Sequence, residues 1–290
     1  DLVTCPSPLN SESLKLLEAI PESFTPEASI DWDQLAESSE TLVRFLDNVV
    51  TWNEDLNALP KQRQAASETR RLGLGVMGIA DMLNQLGVAY DSEQGTMMIE
   101  KVMEYITNAS YQASSFIAKE KGASSIFDEK AYMECPFVKE ALSEQTHNMI
   151  RKNGLRNIAI MSIAPTGSIS NIVLGYKSEE KNYIGVSGGV EPIFSTFYTR
   201  RSESFGNKMF KVFHSTIQAY IDKMGIQEDV DKAEDVDEVL PEFLTRTAHK
   251  IDSVKRVGVQ GVIQRYIDHS ISSTINLPED VNPETISDIY

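Results

Sequence analysis

The sequence predicts an α/β protein rich in helices. Three observations lead there: long stretches with apolar residues at helical spacing, a short apolar run of strand length bounded by polar residues and a proline, and no internal repeat or low-complexity tract. The 290 residues are enough to bury a large core, and 41% hydrophobic with 24% charged residues is ordinary globular composition.

The elements follow in chain order. Pro6 and Pro8 block a helix in residues 1–10, which read as a strand end and loop. Over residues 31–50, Trp32, Leu35, Leu42, Leu46 and Val49 recur at helical spacing, with Ser29 or Asp31 as the cap. A second helix is expected through residues 72–87, ending at Gly87. A long helix should run over residues 92–121 with Met97, Val102, Ile106, Ala109, Ala113 and Phe116 as its core stripe, closed by Gly122. The period then changes. Residues 157–164, NIAIMSIA, read as a buried strand of a parallel sheet, and residues 190–201 read as extended. Helices are expected again over residues 206–224, 238–251 and 257–272. The acidic run at 227–239 reads as a solvated turn or helix edge.

A net charge of −16 repels polyphosphate chains at long range, which argues against nucleic acid as the main partner. A small phosphorylated ligand stays compatible, because backbone amides dominate inside a pocket. No apolar run is long enough to cross a bilayer, and no signal peptide opens the chain. Two cysteines, Cys5 and Cys135, and four scattered histidines make neither a disulfide framework nor a metal cluster. A reducing, cytoplasmic setting is expected. Both ends, Asp1 and Tyr290, read as cuts inside a longer protein, so the chain is taken as one partial domain over residues 1–290.

Four segments carry possible chemistry. APTGSISN, residues 164–171, follows the buried strand directly. Pro165 ends the strand, Gly167 permits a tight turn, and Ser168 and Ser170 can cap a helix. Strand, glycine turn and helix start aim backbone N–H groups at an anion, and Thr166, Gly167 and Ser168 are small enough to let a phosphate approach. Taken alone, such a run more often means an ordinary capped turn, and it lacks the lysine of a P-loop. SGGVEP, residues 187–192, places two glycines, Gly188 and Gly189, before an extended segment. They imply unusual backbone or close approach by a ligand, with Glu191 at the junction; a plain glycine turn with a surface Glu is the commoner reading. Gly73, Gly75 and Gly78 match a dinucleotide fingerprint in spacing only. The run before them is polar and helix-like where the fingerprint needs a buried strand, so they are assigned to close packing at a helix start. Cys5, near a strand end, is either a small buried hydrophobe or a redox thiol; Cys135 is taken as structural.

Together RRLGLGVMGIADML, RNIAIMSIAPTGSISN, SGGVEPIFSTFYTRRSES and HSISSTINLPEDV, in this order, resemble the ribonucleotide reductase large chain. The form of the loop and the SISSTINLP segment look most like the adenosylcobalamin-dependent (class II) branch. The resemblance implies the second half of a ten-stranded α/β barrel, with the other half and the last strand outside this chain. It implies reduction of ribonucleotides to deoxyribonucleotides by radical chemistry. Pro165, Thr166, Gly167, Ser168, Ile169 and Ser170 would hold the substrate phosphates, and Gly188, Gly189 and Glu191 would lie beside the substrate. Cys5 would be one of two reducing cysteines. The implied cofactor is adenosylcobalamin; the alternative is a radical delivered by a separate metal-containing subunit, with none bound directly. The implied partners are a ribonucleoside di- or triphosphate, the N-terminal half of the reductase and a thioredoxin- or glutaredoxin-type reductant. The radical cysteine and the base carboxylate would lie before Cys5. Two other functions share the phosphate loop: a non-catalytic nucleotide-phosphate-binding module, and an unrelated α/β enzyme acting on a sugar phosphate.

Overall fold

The computed structural model describes residues 30–178, 180–202 and 208–289. Residues 1–29, with Cys5, Ser29 and the strand end and loop expected at 1–10, lie outside the described residues. No described helix is long and apolar enough to cross a membrane.

Helix α1 (Trp32–Asn53) starts where expected, with the Asp31 carboxylate accepting from the Gln34 amide. It carries two apolar stripes, and spacing alone does not tell them apart. Val43 is buried with Trp32, Leu35 and Leu46 packed beside the core, whereas Leu42 (45% exposed) and Val49 (39%) point outward with Phe45 and Trp52. The expected stripe mixed the two because the core-facing row contains a carboxylate, Asp47, which pattern reading counts as solvated.

Helix α2 (Pro60–Thr69) ends at Arg70 in a left-handed conformation, φ 47°. The chain then runs extended through Leu72 and Leu74 instead of entering a helix; helix α3 covers only Ile79–Gln85, opened by Gly78 at φ 79°. The expectation of one helix from residue 72 fails because Leu72 and Leu74 donate to Ala159 and Ile160 at 2.9 and 2.8 Å, and Ser162 donates back to Leu74 at 2.8 Å. Gly75 is required there: a Cβ would stand 2.2 Å from the Ser162 carbonyl oxygen. Close packing is thus the role of this glycine, as expected, but against a strand.

Helix α4 (Glu93–Lys121) is capped by the Ser92 hydroxyl and stopped by Gly122 at φ 88°. It packs against α1, α7 (Glu144–Asn153) and α11 (Ser253–Gln264). Its core row includes Met98, Ile99, Val102, Met103, Ile106, Ala113 and Ile117, while Met97 and Phe116 are each 38% exposed. Surrounded on several sides, α4 also buries polar groups. Thr107 donates to the Tyr266 carbonyl at 2.9 Å, and Ser114 to the Asn157 side chain at 2.8 Å. Between α4 and α7 lie the short helices α5 (Glu129–Met133) and α6 (Pro136–Ala141).

Residues 158–164 are extended and lie parallel to neighbours on both sides, with Met161 bridged to Leu74 and Ile163 to Ile271. Ile160, Met161 and Ile163 are buried; Ser162 is half-buried and Ala164 exposed, so only one face is fully covered. The parallel strand is where the sequence places it, but the parallel segments do not close into a barrel among the described residues. Among the described residues the regular strands form two antiparallel hairpins, β1 (Leu174–Lys177) with β2 (Asn182–Ile184) and β3 (Phe197–Ser202) with β4 (Lys208–Phe213). β4 occupies the start of the helix expected at 206–224. KMFKVF alternates against the aromatic β3, and α8 spans only Ser215–Met224. The expected helix at 238–251 reduces to α10 (Glu242–Thr245), behind Pro241. The last expected helix is shifted: α11 starts after the Asp252 cap and ends at Gln264. Residues 268–272 are instead drawn into pairing with residues 160–163. The acidic run forms α9 (Gln227–Lys232) and a 3-10 turn at Val236–Glu238, anchored by buried Val230 and Val236. A last helix, α12, covers Pro283–Ile289.

Asp47, with no exposed surface, ties α1 to this frame. Its carboxylate accepts from Arg70 Nε at 2.8 Å and Asn157 Nδ2 at 3.1 Å. Burial pushes its pKa up, but the Arg70 hydrogen bond and charge, with Asn157 and Arg156, outweigh that and hold it below the usual carboxylate range. Asp47→Ala, which leaves Arg70 buried without its main partner, should cost about 3–5 kcal/mol in urea denaturation. Because the folded carboxyl is depressed, its contribution is fully present above the unfolded Asp pKa of about 3.9 and is lost as pH falls through the folded value. The gap between wild type and variant should therefore hold at neutral pH and narrow in acid; a gap that widens in acid contradicts this.

Candidate functional site

Two segments far apart in sequence meet at the end of the central parallel segment. Residues 164–170 leave it as a loop, and residues 185–190 pack on that loop. The Gly189 amide donates to Thr166 Oγ1 at 2.7 Å, and the Val186 amide to the Ser170 carbonyl at 2.9 Å. Contact is too close for side chains on the glycine pair. A Cβ on Gly188 would sit 2.8 Å from the Pro165 carbonyl oxygen, and one on Gly189, at φ 48°, 2.9 Å from that of Ala164.

The loop differs from the expected turn in one respect. The left-handed residue is Thr166 (φ 52°), and Gly167 has open space where a Cβ would go. A β-branched residue in this conformation is strained and is kept only where its surroundings hold it. Here the Gly189 amide holds the Thr166 hydroxyl, and the Ser170 amide donates to the Thr166 carbonyl at 3.0 Å. The expected helix start is a single 3-10 turn, Ile169–Asn171; Ser168 makes no capping bond and Ser170 is buried. Reversal at Thr166 leaves the amides of Gly167, Ser168 and Ile169 without a hydrogen-bond partner among the described residues. Consecutive unengaged amides on a turn of small residues suit an anion. Pro165 and Ile169 flank this turn at the surface.

Beside the loop, Gly73, Gly75, Ser162, Ala164 and Ser270 are exposed or half-buried, whereas Leu72, Leu74, Met161 and Ile163 are buried. The stretch next to the loop is therefore a floor of small residues, with room for a ligand anchored at the loop.

The two carboxylates flanking the glycine pair are both engaged. Glu191, expected beside the substrate, receives Arg256 Nη2 at 2.7 Å and the Thr274 amide at 2.9 Å. Arg256 itself is only 4% exposed, so the pair clasps the SGGVEP segment to α11 and to the SISSTINLP segment. On the other flank, buried Asp81 of α3 accepts from the Ser187 amide at 2.6 Å, His214 Nε2 at 2.7 Å and Thr216 Oγ1 at 2.5 Å. Burial pushes this carboxyl up; the His214 contact, the Ser187 amide and the Thr216 hydroxyl outweigh it and hold the pKa below the usual range. Tyr90 adds a bond to the Val190 carbonyl at 2.6 Å. None of Asp81, His214, Arg256 and Tyr90 emerges from the sequence reading. The only signal for Asp81 is its place beside the Gly73–Gly75–Gly78 run. Among the described residues no group of three or more His, Cys, Asp or Glu side chains gathers for a metal; Cys135 is exposed, and Cys5 lies outside the described residues.

Comparison with known proteins decides the family. A family model described as "Ribonucleotide reductase, barrel domain" matches residues 12–290. The chain belongs to the ribonucleotide reductase barrel-domain family. A relative named vitamin B12-dependent ribonucleoside-diphosphate reductase, from Thermoplasma acidophilum, is 32% identical over 276 residues, covering 90% of this chain and 31% of the relative. A relative of the same name from Mycobacterium tuberculosis is 28% identical over 275 residues, covering 90% and 34%. This reductase barrel chain therefore spans about a third of the length of the curated relatives it matches. Among solved structures, the Actinobacillus ureae class Id ribonucleotide reductase alpha subunit aligns with a TM-score of 0.61 at 22% identity, over 87% of this chain and 42% of that one, a likeness of fold.

The contacts at the two loops separate their glycines experimentally. Gly188→Ala should lower stability by about 1–3 kcal/mol, because its methyl group meets a carbonyl oxygen. Gly167→Ala should stay within about 0.5 kcal/mol, as for an open surface position. Thermal denaturation of both variants checks the order; equal losses would contradict the packing described.

Proposed function

We propose that this chain supplies the second half of a ten-stranded ribonucleotide reductase barrel and holds the substrate's phosphates on the loop from Pro165 to Ser170. The observation that carries the reading is the set of unengaged amides at Gly167, Ser168 and Ile169, next to a floor of small residues, in a chain of this family. The substrate is a ribonucleoside diphosphate, in keeping with the names of the relatives. The amides and the Ser168 hydroxyl take the phosphate oxygens, the Gly188–Gly189 segment walls the site, and Glu191 acts through its clasp on Arg256.

In this proposal the 2′ hydroxyl leaves as water, and two cysteine thiols supply two electrons as they close to a disulfide. Cys5 is one of them. The partner thiol and the radical-bearing cysteine belong to the N-terminal half, and a thioredoxin- or glutaredoxin-type protein reopens the disulfide. The names of the relatives favour adenosylcobalamin, which supplies the radical when bound. The accessible face of Gly73, Gly75, Ser162 and Ala164 carries one side-chain donor, the Ser162 hydroxyl, which does not make a corrin site, so no residue is assigned to hold it and no step is derived through it.

Two variants test the roles, with the upstream half supplied. Gly167→Val projects a branched side chain into open space, so the fold persists while phosphate approach is obstructed. KM should rise about tenfold or more, with a smaller change in kcat, because phosphates bind alike in ground and transition states. Cys5→Ser should bind substrate normally and lose multiple turnover with a thiol reductant. An unchanged KM in the first removes the loop from binding; normal turnover in the second removes Cys5 from the reaction.

A further inference from the structure

Asp81 is a buried carboxylate with no place in the proposed chemistry, and it spends its acceptors unusually. One oxygen, Oδ2, takes the Ser187 amide; the other, Oδ1, takes both His214 and Thr216. Ser187 returns the contact, its carbonyl accepting from the Gly78 amide at 2.9 Å at the start of α3. The residue before Gly188 is therefore gripped through both its N–H and its C=O by Gly78 and Asp81, at one helix end. Gly188 and Gly189 follow with no side chains of their own, and their position against Pro165 and Thr166 has to be set from outside. The Gly189 amide is what holds the strained Thr166, and Thr166 opens the turn on which the amides of Gly167 to Ile169 have no partner among the described residues.

We propose that Asp81 is a positioning residue for the phosphate loop, acting through Ser187 and the glycine pair, with His214 and Thr216 orienting its carboxylate. The chain of contacts is continuous: His214 and Thr216 on Asp81, Asp81 on the Ser187 amide, Gly189 on Thr166, and Thr166 on the amide turn. The role rests on the proposed phosphate site and goes beyond it, since Asp81 touches no part of the loop directly. A carboxylate suits the task because it accepts at both oxygens. An amide in its place must turn its NH2 either toward the Ser187 amide, donor against donor, or toward His214 and Thr216, which then have to give up their donor roles. In the first case Ser187 loses its acceptor; in the second the amide oxygen keeps the Ser187 N–H, but the side chain loses the His214 and Thr216 donors that orient it.

The test uses the protein with its upstream half supplied, and CDP as the probe. Asp81→Asn should raise KM and the Kd for CDP about tenfold while kcat stays within about threefold. Amide hydrogen exchange at Gly188 and Gly189 should quicken in the same variant. Thr107→Val, which removes a buried hydrogen bond on α4 to the distant Tyr266 carbonyl, serves as the stability control: its melting temperature should fall while KM does not move. His214→Ala, a partly exposed position, should shift KM in the same direction by a smaller factor, and it carries the test if Asp81→Asn does not fold. A KM within twofold of wild type in a folded Asp81→Asn protein, or in His214→Ala where that variant stands in, overturns the proposal. So does a KM that follows melting temperature across all variants, the control included. Failure of the underlying reading is separate: the wild type would then bind no CDP, or Gly167→Val would leave its Kd for CDP unchanged.

Discussion

The Asp268 carboxylate accepts from two consecutive backbone amides, Ile160 at 2.7 Å and Met161 at 2.9 Å, and also receives the buried Tyr111 hydroxyl. A side chain thus takes the place of a strand in satisfying the backbone where residues 158–164 begin. From there Ile163 pairs with the carbonyl of Ser270, and Ser272 with that of Ile163. On the opposite edge Leu72 and Leu74 complete the parallel register. Buried backbone groups need partners, and a segment this short has few ways of finding them. Fixing its register fixes where the chain emerges at Pro165, and so where the loop begins.

From that exit point the site is built by mutual support between two loops. Thr166 adopts a conformation that costs a β-branched residue on the order of 1–2 kcal/mol. Its hydroxyl accepts from Gly189 and its carbonyl from Ser170, which offset that cost. The glycine segment is held at both ends, by Asp81 on one side and by Glu191 with Arg256 on the other. Both carboxylates are engaged by donors, so the unengaged amides set the local preference for anions within a chain of net charge −16.

Much of this was legible in the sequence, and what was not has physical causes. The Asp31 cap, one of two candidates with Ser29, and the Gly122 stop follow from local hydrogen bonding and backbone freedom, which short motifs encode directly. The buried parallel segment was legible as an apolar run of strand length. The extended stretch at Leu72–Leu74 was not, because its neighbour lies some 87 residues away in the chain and its own pattern also fits a helix. KMFKVF was read as helix for the same reason: its strand character comes from pairing with β3. The two loops were picked out by their small residues, yet their contact with each other was invisible. The reversal was assigned to Gly167, the residue that bears it easily, whereas tertiary contacts impose it on Thr166. Asp81 and Arg256 were missed because pattern reading treats an isolated charge on a helix as solvated, and only the fold shows these two buried and engaged.

In the proposed site, the unengaged amides that follow Thr166 take the phosphates of a ribonucleotide. A crystal structure of the protein with its upstream half and a bound ribonucleoside diphosphate tests it most directly. Terminal phosphate oxygens should lie at hydrogen-bonding distance, about 2.7–3.2 Å, from the amides of Gly167, Ser168 and Ile169, with the ribose over Ser162 and Ala164. Phosphates bound elsewhere, with these amides turned to solvent, would contradict it.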